Sequence, residues 1–84
     1  MTNPLTLAAR VKHNNPYYMQ TCATLTRHYK QGRFDAGAAQ RLIMRNCRET
    51  AQGMYYTRQV QQAAKILLQD WRNTHMAYAS IKAE

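Results

Sequence analysis

The sequence predicts an all-α protein, a compact antiparallel bundle of three main helices with a short N-terminal helix or arm. Three observations carry this expectation. Only three Gly and two Pro occur in 84 residues, too few for the turns of an all-β chain. Ala, Gln, Leu, Met and Arg, which favour helix, recur throughout. Apolar residues repeat at spacings of three and four in three separate stretches, the period of one helical face. Residues 1–84 are read as a single domain with a modest core, and 45% hydrophobic residues are enough for a globular fold.

Asn3-Pro4 can open a first helix, because Pro suits the first helical position. Leu5, Ala8, Ala9 and Val11 would then pack as a lid, with Arg10, Lys12 and His13 as a basic end. A mobile basic arm over residues 1–14 is the competing reading. Asn15-Pro16 repeats the start signal and predicts a helix from Pro16 to about Gln31. Its buried stripe is Tyr18, Cys22, Leu25 and Tyr29, with Arg27 and Lys30 on the far side. Regular spacing of this kind is what a core needs, so a core reading is preferred to an aromatic binding groove. Gly32 is free to take positive φ as the residue after the helix. Phe34 precedes the cap of the next helix, where an apolar residue often folds back as a staple.

The central helix is expected to start at Asp35 and either to run to Tyr56 or to fray at Gly53. Asp35 is the N-cap, its carboxylate accepting from free N–H groups of the first turn. Ala39, Ile43, Cys47, Thr50 and Met54 share the stripe to be buried. Arg41, Arg45, Arg48 and Gln52 fall almost opposite. The second connection should lie within residues 53–57, with Thr57 capping a last helix from about Arg58 to Ala79. Val60, Ala64, Leu67, Trp71 and Tyr78 form its stripe, Ala63, Leu68 and Thr74 the margins. Arg58, Gln62, Lys65 and Gln69 point away, and residues 80–84 are expected to fray.

The charge balance directs the search for function. Twelve Lys and Arg face four acids, a formal +8, and Arg outnumbers Lys eight to four. Guanidinium is the planar, bidentate cation for phosphate and carboxylate. This balance suits nucleic acid, an anionic membrane surface or an acidic protein patch, and excludes a DNA mimic. Solubility alone accounts for part of it. Arg41, Arg45 and Arg48 are the sharpest surface feature, and Glu49, four after Arg45, is placed to take part of that charge. Arg27, Lys30 and Arg33 complement the negative end of the preceding helix dipole and can extend the same patch. Tyr55 and Arg58 sit together at the second connection, one of Tyr55 and Tyr56 being expected in the core. An aromatic next to an Arg can stack on bases or make a protein-interface hot spot.

Other chemistries find little support. The acids Asp35, Glu49, Asp70 and Glu84 show no paired-carboxylate spacing, and no glycine-rich phosphate loop is present. His13, His28 and His75 are scattered, so neither a metal nor a cofactor is expected. Cys22 and Cys47 read as small buried hydrophobes in a reducing compartment. No continuous apolar run opens the chain and none reaches a membrane span, so the expected location is the cytoplasm. A helix–turn–helix reading fails on packing. His28 stands four before Gly32, where a small residue is wanted, and Arg27 stands where an apolar one is.

The run Thr24-Leu25-Thr26-Arg27-His28-Tyr29, then Gly32-Arg33-Phe34-Asp35, then Ala39, Leu42, Ala51 and Tyr55, resembles small proteins encoded in phages and prophages. Those are short, helical, single-domain accessory proteins. The resemblance implies a host-cell setting in which small non-enzymatic proteins bind and block host machinery, CRISPR–Cas and other defence complexes included. It carries over no site residues. The expected function is therefore a non-enzymatic protein-binding module that inhibits a host defence complex, acting by occlusion through its basic helix face. The partner would be a host protein or ribonucleoprotein with an acidic surface. The alternatives are a small DNA- or RNA-binding protein that uses the same face, and a helical self-assembly protein such as a homodimer.

Overall fold

The computed structural model describes the backbone of residues 3–83 and the side chains of residues 3–76. Four helices follow in order: α1 Pro4–Asn14, α2 Tyr18–Lys30, α3 Ala36–Ala51 and α4 Thr57–Ala83. The all-α bundle is as expected, and residues 4–14 form a helix rather than an arm. α2, α3 and α4 run antiparallel through short connections. α1 is laid across the α3–α4 hairpin. Asn3, Pro4 and Leu5 meet Gln62, Lys65 and Ile66 at one end. At the other, Lys12 reaches Asp70 and Asn15 reaches Asn46 and Thr50. The molecule measures 43 × 21 × 18 Å. Its long axis matches the roughly 40 Å of a 27-residue helix such as α4.

Capping fixes most of the helix boundaries. Asn3 Oδ1 accepts from the Thr6 N–H at 2.8 Å, with Pro4 at the first helical position. Asp35 Oδ2 accepts from the Ala38 N–H, also at 2.8 Å, as expected. α2 begins at Tyr18, later than Pro16. Asn15 Oδ1 accepts from the Tyr17 N–H at 2.9 Å, and this side-chain turn occupies the residues that would have started the helix. At the end of α2, Gly32 (φ 70°) sends its N–H to the Tyr29 carbonyl, and the Arg33 N–H reaches the His28 carbonyl at 2.8 Å. This pair of bonds is a Schellman closure, which needs the left-handed residue that Gly supplies at little cost.

The central helix stops at Ala51, close to the alternative end at Gly53 and short of Tyr56. Gln52 takes the left-handed conformation (φ 50°), Gly53 follows at φ 75°, and the Met54 N–H returns to the Ala51 carbonyl. That turn carries Met54 off the helical stripe, leaving it 69% exposed where burial was expected. Thr57 does not cap α4. Tyr56 holds the cap position, and Gln59 Oε1 accepts from its N–H at 2.9 Å, one half of a capping box. α4 continues past Ala79 to Ala83 through residues that favour helix. The side chain of Tyr78 and all of Glu84 lie outside the described residues.

The core gathers Leu7, Ala8 and Val11 of α1, Leu25 of α2, Ala39, Ile43, Cys47 and Ala51 of α3, and Val60, Ala63, Ala64, Leu67, Leu68 and Trp71 of α4. Leu5 and Ala9, expected inside, face solvent, and Leu7 is the fully buried leucine of α1. The stripe is therefore Leu7, Ala8 and Val11, one position round the helix from the expected one. Tyr18 and Leu25 are buried as expected, while Cys22 and Tyr29 sit half-buried at the margin. Phe34 packs across the bundle. Its ring stacks on Trp71 (centroids 5.1 Å, 12° between planes), Tyr29 meets both rings edge-on, and Trp71 Nε1 donates to Thr26 Oγ1 at 3.3 Å. α2, the α2–α3 connection and α4 are thereby locked together at one aromatic junction.

Candidate functional site

The eight residues singled out from the sequence do not converge on one patch. Arg27, Lys30 and Arg33 lie at the α2–α3 end and are exposed. Arg48, Tyr55 and Arg58 lie at the other end of α3, which is about 24 Å long at 1.5 Å per residue. The expected ridge of Arg41, Arg45 and Arg48 is split by helical rotation. Arg45 faces a groove shared with α2, whereas Arg48 faces a cleft shared with α4. Arg41 folds back along its own helix. Its Nη1 lies over Gly37, 3.6 Å from where a Cβ would stand, on the same glycine that Asp35 Oδ2 approaches. Tyr55 is half-buried against the core and Tyr56 is 78% exposed, so one of the pair turns inward as expected.

The α2–α3 groove is open and polar, about 520 Å³ in volume. Thr21 and Thr24 face Leu42, Arg45 and Glu49 across it, with Tyr17 at its end. Asn46 also lines it and is only 4% exposed. Its Nδ2 donates to Glu49 Oε1 at 3.4 Å, which fixes the amide orientation and leaves Oδ1 buried with no partner. The Asn46 carbonyl and Thr50 Oγ1 both accept from Asn15 Nδ2, at 3.1 and 3.0 Å. Glu49 is thus engaged with Asn46 and forms no ion pair with Arg45, contrary to the expectation from their spacing. Asn46 escaped the sequence reading. The available signal was its position three after Ile43 and four after Leu42, on the inward side of α3.

The α3–α4 cleft is smaller, about 210 Å³, and differs in chemistry. Met44, Arg48 and Ala51 of α3, Tyr55 of the connection, and Val60 and Gln61 of α4 line it. No acid lines it. Arg48 Nη2 donates to Met44 Sδ at 3.3 Å, which holds the guanidinium at the rim. A third basic feature, also unforeseen, is Arg72, whose guanidinium sits over the Phe34 ring at 5.9 Å from its centroid.

The cysteines are protected rather than reactive. Burial pushes the Cys47 thiol up to about 12, and burial also raises Cys22. The Tyr18 hydroxyl and nearby Lys12 pull Cys22 part of the way back. Tyr18 is itself shifted upward, by burial first and by its hydrogen bond with Cys22 second. Thiolates are therefore disfavoured at neutral pH. Among the described residues, no group of three or more His, Cys, Asp or Glu is placed to hold a metal ion, and no helix is long and apolar enough to cross a membrane. Comparison with protein-family models, with curated proteins and with solved structures finds no match to this chain.

Proposed function

We propose that this chain is a non-enzymatic protein-binding module that lays a basic surface on an acidic face of a partner protein or ribonucleoprotein and acts by covering it. The observation that carries this reading is the charge left over after folding. Asp35 caps α3, Glu49 accepts from Asn46, and Asp70 pairs with Lys12 at 2.7 Å. That pair is the one ion pair among the described residues, so the exposed Arg27, Arg33, Arg45, Arg48 and Arg58 have no carboxylate within 4 Å. A surface of this sign attracts an acidic partner, speeds encounter and fixes orientation.

Two features favour protein over nucleic acid. The cations are spread over three faces rather than aligned as a stripe along a phosphate backbone. The aromatic junction next to Arg72 is already filled, with Phe34 stacked on Trp71 and covered by Arg72, so it offers no free platform for bases. The resemblance to phage and prophage accessory proteins supports a host defence complex, CRISPR–Cas among them, as the partner, with inhibition by occlusion as the mode of action.

Affinity capture from bacterial lysate, with and without nuclease, tests this reading. One complex retained after nuclease treatment, and lost on reversing Arg45 and Arg48 together to Glu, is the expected result. Capture abolished by nuclease would transfer the basic surface to nucleic acid.

A further inference from the structure

We propose that the α3–α4 cleft is the anchor site of this module and takes one apolar side chain from a protein segment whose flanking residues are acidic. The inference rests on the protein-binding reading and narrows it to one surface and one ligand chemistry.

The cleft exists because small residues meet at the corner. Ala51 and Val60 form a buried floor, Gly53 places no side chain there, and Met44 and Tyr55 make half-buried apolar walls. A cleft with an apolar floor and walls, and with Arg48, Thr57 and Gln61 among the residues lining it, suits a single anchoring side chain flanked by polar groups. Its surroundings are positive. Arg48 lines it, and Arg58 stands three residues before the lining Gln61, hence on the same face of α4. Carboxylates on either side of the anchor would meet guanidinium on both helices, where bidentate pairing is available. Beyond the lining, Met54 and Tyr56 present large exposed side chains from the same connection. Tyr, Met and Arg are enriched in protein interfaces.

The corner is also pre-organised. The left-handed pair Gln52–Gly53, the Met54 N–H on the Ala51 carbonyl and the Gln59 side chain on the Tyr56 N–H fix the connection before a partner arrives. Less ordering is then left for binding to impose. The larger α2–α3 groove fits an acidic segment less well, because Glu49 lines it opposite the threonines. A nucleobase is also a poorer occupant. The exposed ring of Tyr56 lies outside the lining, so the cleft lacks a free stacking face for a base.

The test uses the full chain and synthetic heptapeptides of Glu and Asp with a central Leu, Phe or Ala, alongside a short oligo-dT strand. Binding is read by fluorescence anisotropy and mapped by amide chemical shifts. The Leu or Phe peptide should bind roughly tenfold tighter than the Ala peptide, with shifts centred on Ala51, Gly53, Tyr55 and Val60. Arg48→Glu should remove roughly tenfold of that affinity, whereas Arg45→Glu, an equal change in net charge, should change it less than about twofold. If the Ala peptide binds as well as the Leu peptide, or R45E costs as much as R48E, the cleft is not the anchor site, while the acidic-partner reading stands. If no peptide binds, or only oligo-dT does, both fall.

Discussion

The two flanks of α3 are built from one sixteen-residue helix and behave as different materials. Towards α4, Ile43 and Cys47 pack with Ala63, Ala64 and Leu67, all fully buried, and the seam is dry up to the cleft at Ala51 and Val60. Towards α2, Asn46, Thr21, Thr24 and Glu49 leave an open polar groove. A rotation of one residue along α3, about 100°, is enough to pass from one to the other. Three arginines spaced by four and three residues therefore do not make one charged face. The neighbouring helix decides what each guanidinium sees.

The difference is most exposed to failure by placing a charge on each side. Leu67→Asp, on the dry seam, should abolish cooperative unfolding in calorimetry, because a buried carboxylate without a partner costs several kcal/mol and more. Thr21→Asp, on the groove, should leave a folded protein with dispersed amide resonances. If both variants unfold, the groove is core and the contrast is false.

A dry seam also resists ionisation. The thiol of Cys47 stays protonated up to about 12 in the folded chain, against 9.0 for an ordinary thiol. Its pKa is raised on folding, so its contribution to stability is fully present below pH 9 and is lost as pH rises from there towards 12. The slope is about 1.4 kcal/mol per pH unit. Thermal unfolding across pH 8–11 should therefore fall less steeply in Cys47→Ala than in the parent chain. Equal slopes would mean that water reaches the seam.

Opposite signs are expected within the polar flank itself. Asn15→Ala removes the bonds to the Asn46 carbonyl, Thr50 Oγ1 and the Tyr17 N–H, and should cost about 1–2 kcal/mol. Asn46→Leu removes a buried acceptor that has no partner and should stabilise by about 1 kcal/mol, a rise of several degrees in Tm. A lower Tm for N46L would show that Oδ1 is satisfied in solution.

What could be read from the chain follows the same division. Caps and periodicity are local, so Asn3, Asp35, Gly32 and the stripes of α3 and α4 announced themselves. The end of α3 was ambiguous between Gly53 and Tyr56, because Ala51 to Tyr56 contains no Pro and only one Gly, and the left-handed turn begins on Gln52, which carries no turn signal of its own. Met54 was misplaced for that reason. The cleft at the corner was equally hidden. It depends on two small residues from different elements, Ala51 and Gly53, meeting Val60 across the hairpin. Spacing along the helix located the arginines correctly but not their orientation, which depends on α2 and α4 and has no one-dimensional signature. The junction of Phe34, Trp71 and Arg72 was legible only as a staple and a core tryptophan, since stacking across 37 positions leaves no pattern in sequence.

That junction makes the protein its own optical probe. Trp71 is the single tryptophan, and it sits where α2, the α2–α3 connection and α4 converge. Its indole N–H is tied to Thr26, and Tyr29 lies 6.3 Å away as an energy donor. One emission band therefore reports the attachment of α2, the α2–α3 connection and α4 at once. Separation of α2 from α4 would change the tyrosine-sensitised signal before any label were added.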